Sequence, residues 1–239
     1  MSDFAPRRVL AVGAHPDDIE FGCGATIARW AAGGADVHVV VLTDGSKGSW
    51  DVDADVDDLA VERRYEQQDA AAALGAAGVE FLDLVDGELQ AGRPERAALC
   101  AVIRRLQPDT LLGHDPWKRY RLHPDHREAG TLLLDAVVAA RDPHFFPEQG
   151  APHRPDRILL FEAEVVDHVE DAGPGFDAKL AALLAHRTQW RSTMGIEANG
   201  PHEADQRQAF EARIRGEASA LAAGWGLELA EGFKRLEPL

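Results

Sequence analysis

The sequence predicts an α/β fold, namely a Rossmann-like, doubly wound and mostly parallel sheet flanked by helices. Two observations predict it. Short runs rich in β-branched residues alternate with longer segments of helical periodicity through the first half of the chain, as in repeated βαβ units. Polar, metal-binding residue types collect directly after predicted strands, where the loops of a parallel sheet meet at its carboxyl edge.

The elements follow in a regular order along the chain. The predicted strands of the first half lie at residues 8–12, 37–43, 79–84 and 110–113. The helical segments that follow them lie at residues 24–32, 59–74, 95–106 and 125–140. A Pro-rich irregular segment leads into one more predicted strand and two closing helices, at residues 142–155, 158–161, 178–190 and 203–223. Strands separated by helices predict parallel pairing, because parallel neighbours need a crossover connection.

The bulk composition predicts one domain over residues 1–239, since a single hydrophobic core grows until roughly 250 to 300 residues. No apolar stretch approaches the roughly 20 residues that span a bilayer, so membrane insertion is not expected. The apolar run near the N-terminus, residues 9–12, is too short for the apolar region of a signal peptide. We therefore expect a cytoplasmic protein.

The charge and the cysteines exclude other classes. A net charge of −16 repels phosphate backbones, which argues against a nucleic-acid partner and favours a small molecule. Cys23 and Cys100 have no CxxC spacing and are interpreted as buried thiols. The acidic segment 51–58 lacks the glycine and terminal glutamate of an EF-hand and is interpreted as a solvated loop. The sequence leaves the oligomeric state open, a homo-oligomer included.

The first motif that carries chemistry follows the first predicted strand and reads His15, Pro16, Asp17, Asp18. Adjacent carboxylates at a strand end repel each other and lose solvent, and a bound dication would offset both effects. Pro16 biases His15 towards extended backbone, so His15 and Asp18 can be held to bind one metal. The alternative is that Asp17 or Asp18 only caps the following helix.

The second motif, His123, Pro124, Asp125 and His126, follows the fourth predicted strand and supplies a third ligand. Three imidazole and carboxylate ligands with one open position define a hydrolytic zinc site. Magnesium in a phosphohydrolase is the alternative from another class, but imidazole donors favour zinc. A non-catalytic, metal-binding sugar module is a further alternative if the site is closed to solvent.

At these residues the sequence resembles the PIG-L/LmbE-like family of zinc-dependent deacetylases, whose members deacetylate N-acetylglucosaminyl precursors of glycosylphosphatidylinositol, mycothiol and bacillithiol. The resemblance covers nearly the whole chain and includes residues 42–45 and 63–75. Ala25 stands where the family commonly has a second glycine. The resemblance implies that His15, Asp18 and His126 bind zinc and that Asp17 is the general base on the attacking water.

The resemblance also implies that His123 stabilises the oxyanion and protonates the leaving amine, while Asp125 holds the His123 ring. The alternatives are that Asp125 caps the following helix and that His123 never touches substrate. The reaction implied is hydrolysis of an amide in an N-acetyl amino sugar. An amidase acting on a larger acyl or thiol-conjugated amide is the alternative within the same chemistry.

Candidate substrate-binding residues lie in the second helix and in the loop 114–121, which is unusually cationic and aromatic. They are Arg63, Trp117, Arg119, Tyr120 and Arg121. Trp117 or Tyr120 could stack on a sugar ring, and the arginines could bind an anionic substituent in a bidentate manner. The alternative is a solvated loop whose arginines pair with surface acids.

Overall fold

A computed structural model of the protein describes residues 5–237 and 239. Its strands are β1 (Arg8–Gly13), β2 (Asp36–Thr43), β3 (Gly78–Leu84), β4 (Thr110–His114), β5 (Arg157–Phe161), β6 (His168–Asp171) and β7 (Ala230–Leu236). Its α-helices are α1 (Asp18–Ala32), α2 (Val56–Ala73), α3 (Arg93–Leu106), α4 (Pro124–Arg141), α5 (Phe176–Ala185) and α6 (Glu203–Ala222). The predicted α/β class is confirmed.

The sheet has the strand order β3-β2-β1-β4-β5-β7-β6. β3, β2, β1, β4 and β5 pair in parallel, whereas β7 runs antiparallel to both β5 and β6. The chain leaves β1 towards β2 and β3, and leaves β4 towards β5 on the other side. The connections diverge between β1 and β4, so a crevice is expected at the carboxyl ends of these two neighbours.

Alternate residues of β1 pack into two hydrophobic layers on opposite faces of the sheet. Leu10 and Val12 belong to a layer completed by residues of α3 and α4. Val9 and Ala11 belong to a layer completed by residues of α1, α2 and α5. Side chains of a strand alternate between faces, so a fully buried apolar run such as β1 is the pattern of a strand covered on both sides.

The sequence missed two strands and misplaced two helix ends. β6 and β7 carry polar residues along much of their length, so their hydrophobic pattern is weak. The helix predicted at residues 178–190 stops at Ala185, and its remainder forms a 3₁₀ turn and a π turn. α1 begins at Asp18, earlier than predicted, and is interrupted by the non-helical backbone of Cys23.

The structure also bears on three smaller expectations, concerning the cysteines, the acidic segment and membrane-spanning helices. Both cysteines are buried and free, as predicted. The acidic segment is an exposed loop only up to Asp55, whose carboxylate accepts hydrogen bonds from Asp57 N and Asp58 N and so begins α2. No helix in the described part of the chain has the length and apolar character needed to cross a bilayer.

Candidate metal centre

His15, Asp18 and His126 meet in the crevice between the ends of β1 and β4. His126 Nε2 lies 3.2 Å from His15 Nδ1 and 3.3 Å from Asp18 Oδ1. His15 Nδ1 lies 3.4 Å from Asp18 Oδ2. Ligands about 2.0 Å from a tetrahedral ion are separated by about 3.3 Å, so these three side chains could hold one zinc-sized ion.

Backbone geometry holds the first motif as a rigid turn. His15 N donates a hydrogen bond of 2.7 Å to Asp18 Oδ2, which fixes the carboxylate beside the imidazole. Asp17 has a left-handed backbone, with φ of 99°, a conformation that Asp tolerates better than most residues. Gly22 follows in α1, and a Cβ there would lie 2.5 Å from the Phe161 ring, so α1 starts in close contact with the end of β5.

The cluster contains two residues that the sequence analysis did not select. Three groups of side chains could each hold a metal, namely His15 with His123 and His126, Asp18 with His114 and His126, and His15 with Asp86 and Asp125. His114 ends β4, and Asp86 follows β3. Both therefore satisfy the strand-end rule that selected the two motifs, although neither belongs to a His-Pro-Asp sequence like that of the two motifs.

The metal-free cluster is strongly polarised. Burial lowers the pKa of His15, but hydrogen bonds to Asp125, Asp18 and Asp86 outweigh it and raise the pKa to about 11. Burial raises the pKa of Asp18, but the neighbouring His126 and His114 bring that pKa well below its usual range. Without a metal, a protonated His15 supplies the positive charge that these carboxylates require. A metal that binds His15 must displace this proton, so binding releases protons.

Asp17 differs from its neighbour Asp18 because it has a weaker cationic environment. Burial raises the pKa of Asp17 to about 6, although the Arg63 guanidinium beside it acts in the opposite direction. Arg63 Nη2 lies 3.7 Å from Asp17 Oδ2. A carboxylate whose pKa is raised towards neutrality is suited to accept a proton during catalysis.

His123 and Asp125 lie at the same cluster but contact different partners. The His123 ring is exposed and lies 4.6 Å from the His15 ring, measured between centroids. Burial of part of its surface and the charges of His15 and His126 lower the pKa of His123. Asp125 Oδ2 lies 3.1 Å from His15 Nε2 and accepts a hydrogen bond from Gly87 N. The structure thus brings Asp125 to a proposed metal ligand rather than to the His123 ring.

The five candidate substrate-binding residues divide into two sets. Arg63 and Arg121 line the cavity above the cluster, whereas Trp117, Arg119 and Tyr120 are exposed residues outside its lining. Arg63 is buried and donates to Gly45 O and Pro16 O, so its guanidinium already braces the first motif.

The remaining two arginines both have acidic partners. Arg121 pairs with Glu162 at 2.9 Å, and Arg119 pairs with Glu164 at 3.3 Å. The pairing of Arg119 agrees with the alternative of a solvated loop.

A cavity of about 870 Å³ opens above the cluster. Its walls come from the loops after β1, β2, β3, β4 and β5 and from one side of α6 and β7. Lys47, Lys118 and Arg213 are further cationic side chains in the lining. Its size is within the roughly 300 to 1,000 Å³ of small-molecule sites, and its lining combines six lysines and arginines with six aspartates and glutamates.

Comparison with known proteins places the chain in the family that its two motifs resemble. The family model described as GlcNAc-PI de-N-acetylase, PIG-L, matches residues 10–137, which include both motifs and more than half of the chain. The chain belongs to the PIG-L family.

Curated relatives of this PIG-L family protein are named as deacetylases. The diacetylchitobiose deacetylase of Thermococcus kodakarensis is 34% identical over 188 residues, which cover 77% of this chain and 70% of that protein. The 1D-myo-inositol 2-acetamido-2-deoxy-alpha-D-glucopyranoside deacetylase of Rhodococcus erythropolis is 31% identical over 244 residues, which cover 91% and 80%. Both names describe removal of the acetyl group from an acetamido sugar.

Solved structures with the same fold as this PIG-L family protein include two activities. The N,N'-diacetylchitobiose deacetylase of Pyrococcus horikoshii has a TM-score of 0.85 and 29% identity, covering 97% of this chain and 84% of that one. GalB, the 4-carboxy-2-hydroxymuconate hydratase of Pseudomonas putida, has a TM-score of 0.77 and 25% identity, covering 98% and 97%. The fold by itself therefore does not fix the reaction, and the site must be considered separately.

Proposed function

We propose that the protein is a zinc-dependent deacetylase that hydrolyses the acetamido group of an N-acetylglucosamine-type sugar. The observation that carries the proposal is the convergence of His15, Asp18 and His126 next to the buried carboxylate of Asp17. His15 Nδ1 and His126 Nε2 lie 3.2 Å apart, and each lies 3.3 to 3.4 Å from one of the two Asp18 carboxylate oxygens. The similarity to deacetylases of acetamido sugars supports the same reaction.

The donor set fits zinc. Two imidazoles and one carboxylate are typical of catalytic zinc sites, and the cluster's concentration of buried carboxylates favours a dication. His15, Asp18 and His126 would hold the ion. When bound, zinc lowers the pKa of water and polarises the carbonyl group of the amide.

Asp17 acts as the general base in this proposal. Its carboxylate, whose pKa burial raises to about 6, removes a proton from the water that attacks the amide carbonyl. The guanidinium of Arg63, 3.7 Å away, keeps the deprotonated form populated near neutral pH.

His123 is proposed to act on the opposite part of the reaction, where the oxyanion develops and the amine leaves. Its ring is exposed in the cavity beside the metal-binding cluster. The lowered pKa of His123 makes its protonated form a stronger acid towards the departing amine. In this proposal Asp125 contacts His15 and orients this metal ligand.

The substrate is proposed to enter the cavity with its acetamido group towards the cluster. Arg63 and Arg121 would contact it from inside, and Trp117, Arg119 and Tyr120 from the exposed rim. The cavity is much larger than an acetyl group, so most of its volume is available for the sugar and its substituent.

The test combines metal analysis with a substrate series. We expect protein purified without added metal to contain zinc, chelation to abolish activity, and added zinc to restore it. Acetate release is then measured on N-acetylglucosamine, diacetylchitobiose and inositol-linked N-acetylglucosamine. Matched N-butyryl and N-octanoyl glucosamines test the larger-acyl alternative. Failure of the zinc-loaded protein to release acetate from any acetamido sugar would refute the proposal.

A further inference from the structure

Glu162 lies outside both motifs and outside the residues matched by the family model. It is the first residue after β5, and its backbone is left-handed, with φ of 52°. Residues other than glycine, asparagine and aspartate avoid this conformation, and strained backbone of this kind clusters at functional sites. Its side chain is one-third exposed, with a relative exposure of 33%, at the edge of the metal-binding cluster.

The two carboxylate oxygens of Glu162 have different partners. Oε1 lies 2.9 Å from Arg121 Nη2, which holds the carboxylate in place. Oε2 lies 3.3 Å from His114 Nδ1 and 3.6 Å from His126 Nδ1. The first of these contacts is a long hydrogen bond, whereas the second has an ion-pair distance. One oxygen atom thus faces two imidazole rings of the cluster.

Both imidazole rings connect Glu162 to proposed metal ligands. His126 is itself a proposed ligand, and its Nε2 lies beside Asp18 and His15. His114 Nε2 lies 3.2 Å from Asp18 Oδ2, so the path from Glu162 through His114 ends on a second ligand. The position of the Glu162 carboxylate therefore affects two of the three donors.

The ring nitrogen of His126 that carries the proton determines which neighbouring group can hydrogen-bond to the ring. A histidine that binds a metal through Nε2 carries its proton on Nδ1, and this N–H must find an acceptor. In the described part of the chain, Arg121 Nε donates a hydrogen bond of 3.0 Å to His126 Nδ1, and Glu162 Oε2 lies 3.6 Å from the same nitrogen, beyond hydrogen-bond distance. A metal on Nε2 places the proton on Nδ1, which then can no longer accept from Arg121. Arginine has no acceptor atom, so of these two neighbours Glu162 is the group that can accept this proton.

We propose that Glu162 is a positioning residue that orients His126, and Asp18 through His114, for metal binding. The inference rests on the zinc centre of the proposed function. Glu162, which is distant in sequence from both motifs, fixes the tautomer and the orientation of the His126 ring. Partners of this kind change metal affinity by about 10- to 100-fold when they are removed.

The test measures zinc affinity directly, by competition between metal-free protein and a chromophoric chelator. We expect Glu162→Gly to weaken zinc binding by about 10- to 100-fold. Glu162→Gln should fall between Glu162→Gly and wild type, because its amide oxygen still accepts a hydrogen bond. Glu164→Gln is the matched control, since it neutralises a carboxylate of the same loop that pairs with Arg119, and it should leave zinc affinity unchanged.

Thermal unfolding of the metal-free variants separates this role from a structural one. Glycine is relaxed at a left-handed backbone but loses the ion pair with Arg121, so metal-free Glu162→Gly should still unfold in one cooperative transition above the assay temperature while binding zinc more weakly. Wild-type zinc affinity in Glu162→Gly, or an equal loss in Glu164→Gln, would overturn the inference. His126→Ala distinguishes the two proposals: if it binds zinc like wild type, the metal centre itself is wrong. If only His126→Ala loses zinc, the role of Glu162 alone falls.

Discussion

Replacing Asp17 with asparagine should separate catalysis from folding. The substitution retains the shape of the side chain, and asparagine tolerates the left-handed backbone of φ 99° as aspartate does. It removes the negative charge and the ability to take a proton from water. We expect kcat to fall by about 10²- to 10⁴-fold, the contribution typical of a general base. Bound zinc should stay near one ion per chain, because Asp17 is not a proposed ligand.

Whereas kcat should fall, the same substitution should raise the free energy of unfolding of the metal-free protein. Burial raises the pKa of Asp17 from 3.8 to about 6. This rise in pKa corresponds to a free energy of about 3 kcal/mol between the protonated and charged forms. The folded protein binds this proton more tightly than the unfolded chain, so wild type loses stability as the pH rises from about 4 through about 6. Asparagine carries no charge and avoids this loss.

Urea unfolding of metal-free wild type and Asp17→Asn, at about pH 4 and about pH 8, measures the difference. We expect Asp17→Asn to gain up to about 3 kcal/mol over wild type between these two pH values. Asp86→Asn is the opposite control, because His15 holds the pKa of Asp86 below its usual range despite burial, so its loss should destabilise the protein at neutral pH. An Asp17→Asn variant that keeps full kcat, or that is less stable than wild type at the higher pH, would refute the reasoning.

Two further predictions concern the cavity and the core. Arg121→Gln should raise KM for an anionic sugar substrate more than Arg119→Gln, because only Arg121 lines the cavity; equal KM values in steady-state assays would contradict the proposed contact. His186 is fully buried 3.5 Å from Glu20. Burial lowers the pKa of His186, but Glu20 outweighs it and raises that pKa above 6.5. The stability from this pair is therefore present below about pH 6.5 and lost as the pH rises through the raised pKa. His186→Gln should destabilise the protein more at about pH 6 than at high pH, and a pH-independent loss in urea unfolding would contradict the ion pair.

The sequence predicted those parts of the fold that depend on local pattern. β1, β2, β4 and β5 are short, largely apolar and buried, and the edge strand β3 is mostly apolar although only half-buried. Their composition therefore identifies them without knowledge of their neighbours. β7 (Ala230–Leu236) is missed because charged residues interrupt its apolar pattern. Its pairing with β5 and β6 depends on contacts that the local pattern does not encode. The predictions of one domain over residues 1–239, of a cytoplasmic location and of no nucleic-acid partner stay predictions, and the oligomeric state stays open.

The sequence by itself determined which edge of the sheet carries the site and which residue types gather there. Two strand-end motifs of a parallel sheet must meet, and the resemblance to the family implied that His15, Asp18 and His126 are the ligands among their residues. The family model matches the region that contains them. Only the tertiary structure decided the partners, because these depend on the directions of side chains from distant elements. It brought Asp125 to His15, turned Arg63 towards the backbone of the first motif, and placed Glu162 beside His126.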